Sequence, residues 1–128
     1  MDDLCFMSAT EASRLIREKK LSPVELMTAV LERINALEPQ INAFSALDGE
    51  AALCLAKSAE AQVKEGNGKL GPLHGIPVTI KDLASVEGLP FQRGSHIDAD
   101  NIGVADAPFV SRLREAGAII LGKTTTSE

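Results

Sequence analysis

The sequence has 128 residues, of which 45% are hydrophobic and 24% are charged, enough for one modest domain with its own core and too few for two. The formal net charge is −5 and the pI is about 5.0, and the 13 Lys and Arg residues form no basic run, so nucleic-acid binding is not expected. Trp and Tyr are absent and Phe occurs four times, which argues against an aromatic platform for stacking bases or sugars.

Cysteine usage and the N-terminus bear on localisation. Cys5 and Cys54 are far apart and match neither a disulfide framework nor a zinc-ligand spacing. The N-terminal stretch is acidic where a signal peptide would be basic, and no apolar run approaches the roughly 20 residues of a membrane span. We therefore expect a soluble cytoplasmic protein with no membrane segment, no metal site and no cofactor.

Capping patterns predict helices near the N-terminus. Ser8 and Glu11 have the spacing of a capping box. A second helix is predicted to begin after Ser22, because Pro23 falls at the first helical position, where its missing N–H costs nothing. Apolar residues at the helical period follow, and the helix is predicted to end at Glu38, since the residue before Pro39 is disfavoured in a helix.

A third helix is predicted from Asp48 to Glu65, with Gly66 as its left-handed stop and five residues on its buried face: Ala52, Leu55, Ala56, Ala59 and Val63. The glycine-rich stretch that follows reads as a loop. The sequence thus predicts a helical region over residues 1–70, followed by a β-containing region over residues 71–128.

The second region reads as the start of an α/β fold. Residues 76–80 and 118–122 are short, apolar and β-branched, as in strands that are buried on both faces. Asp106 is predicted to cap a helix between them, with Phe109, Val110, Leu113 and Ala116 inward. The order strand, helix, strand predicts a parallel or mixed sheet that follows the N-terminal helices.

One motif is misleading. Residues 117–124, GAIILGKT, satisfy the pattern of a phosphate-binding P-loop. A P-loop follows a strand and precedes a helix, whereas here a helix precedes and the intervening residues favour a strand. Nucleotide binding is therefore the least favoured of the functions considered.

Histidine does not indicate a site. His74 and His96 have no partners at metal-ligand or catalytic-triad spacing. A histidine in a loop is more often solvated or hydrogen-bonded to the backbone.

Lys81 is the principal candidate. It ends the predicted strand in HGIPVTIKD, residues 74–82, and side-chain alternation places it with Thr79 on one face. A structural role would have its ammonium reach water or pair with a carboxylate such as the adjacent Asp82. A functional role would use its amine as a base near pH 7, at the carboxyl edge of a parallel sheet, where α/β proteins place their sites.

Three stretches resemble the amidase signature family. GPLHGIPVTIKD, residues 71–82, is similar to its lysine motif, and residues 106–128 resemble the segment that follows in that family. Residues 21–44 are similar to its N-terminal helices. The resemblance implies an α/β core and a Ser–cis-Ser–Lys triad, in which the lysine position falls on Lys81.

The same resemblance implies a mechanism. Lys81 would accept a proton from a bridging serine, which in turn would deprotonate a nucleophilic serine as it attacks the amide of a small-molecule substrate. Backbone N–H groups would hold the oxyanion, and water would hydrolyse the acyl-enzyme. Both serines lie downstream of residues 106–128 in the family, and Gly94-Ser95 is not assigned their role. The sequence therefore reads as the N-terminal part of a longer amidase, inactive by itself.

Two further functions stay open. The A subunit of the tRNA-dependent amidotransferase belongs to the same family, but it typically has Asn after its Lys-Asp pair, where this chain has Leu83, which favours a stand-alone amidase. The other alternative is a non-catalytic fragment that acts in assembly. Self-association or a partner subunit is expected where sheet edges and apolar faces are left uncovered.

Overall fold

The computed structural model describes residues 2–66 and 68–127. The secondary-structure elements in these ranges are, in chain order, α1 (Asp2–Cys5), α2 (Ala9–Arg17), α3 (Pro23–Ile41), β1 (Phe44–Leu47), α4 (Gly49–Glu65), β2 (Pro77–Lys81), a 3-10 helix (His96–Asp98), α5 (Pro108–Glu115) and β3 (Ile119–Thr124). None of the helices within these ranges is long and apolar enough to cross a membrane.

The predicted starts of the first two capped helices, α2 and α3, are confirmed. The Ser8 hydroxyl accepts the N–H of Glu11 at the start of α2, and the Ser22 hydroxyl accepts the N–H groups of Val24 and Glu25 at the start of α3. These bonds satisfy N–H groups that have no partner inside the helix.

The predicted end of α3 is wrong, because the helix passes through Pro39 and stops at Ile41, where Asn42 takes a left-handed conformation. Proline removes the hydrogen bond to the carbonyl four residues earlier, which belongs here to the exposed Asn35 and can be hydrated. The Glu38 carboxylate then accepts the N–H groups of Ala43 and Phe44 beyond the helix.

The third predicted helix is confirmed as α4. The Asp48 carboxylate accepts the N–H of Ala51, and Gly66 ends the helix with a φ of 65°. The prediction that Leu55 is buried is wrong: the residue is 46% exposed, since the buried face of α4 consists of three alanines and Val63.

The three strands form one mixed sheet in the order β1-β3-β2. The central strand, β3, pairs in parallel with β2, as predicted, and antiparallel with β1. The sequence did not predict β1, whose four residues, FSAL, lack a β-branched side chain.

Helices cover both faces of the sheet. On one face, Met27 and Leu31 of α3 and the alanines of α4 pack against Ile119 and Leu121 of β3. On the other face, Val110 of α5 packs with Ile80, Val86 and Ile120. The prediction of burial on both faces is therefore right for β3. It is wrong for β2, an outer strand on which Thr79 and Lys81 are exposed.

Helix α5 differs from its prediction at the N-terminus. It begins at Pro108, and no side chain caps it. The Asp106 carboxylate instead accepts the N–H of Glu87 at 2.8 Å and the Nε–H of Arg114 at 2.8 Å. Val110 is buried as predicted, whereas Phe109 is 50% exposed.

Candidate active site

Lys81 is the last residue of β2 and lies opposite Thr124 of β3. Thr79 and Lys81 are exposed while Ile80 between them is buried, which is the alternation predicted for this strand. Within the described ranges, the Lys81 ammonium makes neither an ion pair nor a hydrogen bond. Its amine is therefore open to solvent at the carboxyl edge of the sheet.

The next residue, Asp82, has the opposite environment and is 2% exposed. Its N–H donates to the Thr124 carbonyl at 2.9 Å and continues the pairing of β2 with β3. Its carboxylate accepts a hydrogen bond from Lys123 Nζ at 2.8 Å and another from the backbone N–H of Gln92 at 3.2 Å. The suggested ion pair of Lys81 with Asp82 is therefore wrong.

Lys123 completes this arrangement and is fully buried. Besides binding Asp82, its ammonium donates to the Pro90 carbonyl at 3.1 Å and lies 5.1 Å from the centre of the Phe91 ring. The buried pair thus fastens the loop after β2 to the end of the sheet. Sequence reasoning missed this role, although a lysine directly after the apolar run AIILG was a signal that a buried cation needs a partner.

A register shift between β2 and β3 sets the positions of these side chains. Val78 lies opposite Ile120, and the next residue, Thr79, lies opposite Gly122, so Leu121 is an extra residue in β3. Such a shift reverses which residues of one strand share a face with those of the other.

A polar cavity of about 260 Å³ adjoins the buried pair. It is lined by Asp82 together with residues of the loop and of the segment after β3, among them Gln92, Ser95, His96 and Thr126. Lys81 is not among its lining residues. The cavity therefore borders the Asp82 side chain and not the Lys81 side chain.

The Asp106 carboxylate anchors the far end of the same loop. The N–H of Glu87 lowers the pKa of Asp106, opposed by desolvation, and the hydrogen bond from Arg114 lowers it further. Asp106 therefore holds its negative charge and ties the start of α5 to the residues that follow β2.

The other motifs do not form a site. His74 is buried and hydrogen-bonded to the Ala59 carbonyl, whereas His96 is exposed on the 3-10 helix. Ser95 caps that helix by accepting the N–H of Ile97. No group of three or more metal-ligating side chains occurs in the part of the chain that the structure describes, and Cys5 and Cys54 are free thiols.

The P-loop pattern falls on a strand. Gly122 and Lys123 belong to β3, which runs two residues further than the predicted end at Gly122. The Lys123 ammonium already binds a carboxylate and a carbonyl inside the protein. A segment in this state has neither a free lysine nor a free loop to wrap around phosphates.

Comparison with known proteins shows the family of the chain. Residues 25–128 match the sequence model of the family named Amidase. An acylamidase of Rhodococcus erythropolis is 44% identical over 126 residues, which make up 98% of this chain and 26% of that enzyme. The A subunit of the glutamyl-tRNA(Gln) amidotransferase of Azoarcus sp. is 43% identical over 94% of this chain and 24% of its own length.

The fold agrees with this match. The crystal structure of a bacterial aryl acylamidase of the amidase signature family superposes with a TM-score of 0.85 at 25% identity, covering 95% of this chain and 26% of that one. The chain therefore spans about a quarter of the length of the relatives that it matches. Its three-stranded mixed sheet with N-terminal helices is a part of that fold.

Proposed function

Since this chain belongs to the amidase family, we propose that it is the N-terminal part of a cytoplasmic enzyme that hydrolyses a small carboxamide, with Lys81 as the base of a serine–serine–lysine relay. One observation carries the proposal. Lys81 ends β2 at the carboxyl edge of the sheet with its amine unpaired among the described residues, whereas the carboxylate beside it is engaged by Lys123.

The relay needs a neutral amine that can take a proton and return it. Lys81 takes the proton of a bridging serine, that serine takes the proton of the nucleophilic serine, and the nucleophile adds to the amide carbonyl. When the tetrahedral intermediate collapses, the proton returns through the relay to the leaving amine or ammonia. Water then attacks the acyl-enzyme by the same relay and releases a carboxylic acid. We infer from the family resemblance that both serines lie outside residues 1–128.

Lys123 is the competing lysine at this edge of the sheet, and its surroundings do not suit a base. Its ammonium is fully buried, binds a carboxylate at 2.8 Å and donates to a carbonyl at 3.1 Å. Both partners hold the ammonium inside the protein, where it has no room to exchange a proton with a bridging serine. Lys81, which has neither kind of partner among the described residues, fits the role.

The test is amide turnover by the intact enzyme that carries residues 1–128, with acetamide, benzamide and an aryl acylamide as substrates. Lys81→Ala is expected to lower kcat by several orders of magnitude, because the relay loses its base. Lys81→Arg should fail nearly as badly, since a guanidinium stays protonated. Lys57→Arg, an exposed position on α4, is the control. Full activity in Lys81→Arg would show that the residue acts as a charge and not as a base.

We also infer that the separate 128-residue chain does not hydrolyse amides. No serine hydroxyl in the described ranges is hydrogen-bonded to Lys81, so the base has no relay partner there. Turnover by the purified chain, abolished by Lys81→Ala, would contradict this inference and would place the nucleophile within these residues.

A second candidate function is that of the A subunit of an amidotransferase, which would act with partner subunits. The 43% identity to the Azoarcus protein favours it, whereas Leu83, 57% exposed just after Asp82, departs from the asparagine that is typical there. Hydrolysis of glutamine measured with and without the other amidotransferase subunits separates the two functions. Turnover of simple amides without any partner supports the stand-alone enzyme.

A further inference from the structure

We propose that Lys123 is a positioning residue for the amidase reaction: by holding the Asp82 carboxylate in a buried ion pair, it withholds that carboxylate from Lys81 and leaves the Lys81 amine free to accept a proton. The inference rests on the proposed role of Lys81 as the base. Its starting point is that two consecutive residues of opposite charge are not paired with each other.

A carboxylate next to a lysine in sequence can prevent that lysine from acting as a base. It is close along the chain, and an ion pair with it would stabilise the ammonium and keep the proton on it. Here Asp82 is 2% exposed and Lys123 is fully buried, and their charged groups meet at 2.8 Å. A pair so enclosed is little weakened by solvent, so it competes effectively with an exposed amine for the carboxylate.

The register of the sheet makes this pairing possible. Lys123 lies opposite Ile80, so its side chain shares a face with Ile80 and Asp82, while Lys81 and Thr79 project from the other face. If the register did not shift and Leu121 lay opposite Thr79, Lys123 would lie opposite Lys81 and the two ammonium groups would be neighbours on one face. The shift therefore separates the two lysines and assigns the carboxylate to one of them.

The loop after β2 keeps the pair closed. Pro90 supplies a carbonyl to the Lys123 ammonium, the Phe91 ring lies 5.1 Å from it, and the N–H of Gln92 lies 3.2 Å from the Asp82 carboxylate. These three consecutive residues therefore contact both charged groups of the pair from the loop. The Asp82 carboxylate therefore has its hydrogen-bond partners on its own face of the sheet. Among the described residues, none of these partners draws the carboxylate toward Lys81.

The first experiment measures the chemical reactivity of Lys81 in the intact enzyme that carries residues 1–128. N-acetoxysuccinimide acetylates the neutral amine, and mass spectrometry gives the rate at Lys81 relative to the exposed Lys57 in the same molecule. In Lys123→Met, Asp82 loses its partner and we expect it to turn to Lys81, which lowers the ratio about tenfold or more. In Lys123→Met/Asp82→Leu, which removes both charges, the ratio should return to the wild-type value.

The second experiment ties this reactivity to turnover. Lys123→Met should lower kcat by about tenfold or more with little change in KM, and the double variant should recover kcat to within about tenfold of the wild type. A purely structural pair would change stability and leave the labelling ratio of the folded variant untouched. If Lys123→Met does not fold, Lys123→Gln replaces it, because an amide preserves a hydrogen bond without the charge.

The outcomes separate the two proposals. An unchanged Lys81 ratio in either folded Lys123 variant overturns the positioning role. Wild-type amide turnover that persists in Lys81→Ala overturns the proposed function, while the labelling ratio still decides whether Lys123 withholds Asp82. A lowered ratio that the double variant restores, together with the matching change in kcat, supports both.

Discussion

The imidazole of His74 lies 2.9 Å from the carbonyl oxygen of Ala59 and joins the loop before β2 to α4. A carbonyl oxygen can only accept, so Nε2 carries the hydrogen. The residue is 6% exposed, and the contact of its ring with the backbone is one of the two structural roles expected for a loop histidine. The histidine therefore positions the segment from which the strand that ends in Lys81 begins.

His74→Phe keeps an aromatic ring and removes the donor, so it should lower the free energy of unfolding by about 1–3 kcal/mol. Urea denaturation of the purified protein measures this change. His96→Phe is the matched control, because His96 is exposed and its substitution should stay within about 0.5 kcal/mol of the wild type. Equal effects at the two positions would contradict the importance of the His74 bond.

Gly122 is required by the close approach of β1 to β3. A Cβ atom at this position would lie 2.4 Å from the Ala46 carbonyl oxygen and 3.1 Å from the Phe44 ring. Gly122→Ala should therefore separate the two strands and cost about 1–3 kcal/mol in thermal or urea unfolding. Gly68→Ala, where a Cβ meets nothing within 4 Å, should be close to neutral. A stable Gly122→Ala variant would show that β1 is held less tightly than this contact implies.

Asp106 makes stability depend on pH in the acid range. Its pKa is lowered in the folded protein, chiefly by the N–H of Glu87, so its contribution is fully present above the unfolded pKa of about 3.9. The contribution is lost as the pH falls through the lower folded pKa. Asp106→Asn should be less stable than the wild type at pH 7, and the difference should shrink at about pH 2–3. A difference that is constant across this range would contradict this role.

Nucleotides should not stabilise the protein. A ligand raises the melting temperature only if it binds the folded state, and the lysine of the GAIILGKT stretch is buried against Asp82. Thermal unfolding with millimolar ATP or GTP and magnesium should match the unliganded protein. A saturable rise in melting temperature would revive the P-loop interpretation.

Local signals predicted those parts of the fold that local chemistry decides. The starts of α2 and α3 follow from Ser8 and Ser22, and the end of α4 follows from Gly66, because each of these residues acts on the backbone beside it. Local signals do not predict the effect of Pro39. The free energy that this proline costs the helix depends on whether the Asn35 carbonyl, which loses its hydrogen bond, is exposed to water, and that is a property of the packed protein.

Non-local pairings were harder to predict. Strand β1 is stabilised by its pairing with β3, which is far along the chain, and its own residues carry a weak strand preference. The partner of Asp82 escapes prediction for the same reason, since Lys123 reaches it only through the register shift at Leu121. The face of β2 on which Lys81 lies follows from the alternation of side chains along the strand. Its catalytic role remains a prediction.

The order of the strands has a consequence for synthesis on the ribosome. The central strand β3 is the last of the three to be made, and β1 and β2 pair with β3 and not with each other. Both outer strands must therefore wait, unpaired, until residues 119–124 leave the exit tunnel. At about 5–20 residues per second, the interval between completion of β1 and of β3 lasts several seconds or more. During that interval we expect the nascent chain to depend on its helices, and on chaperones that cover exposed strands, to stay free of aggregation.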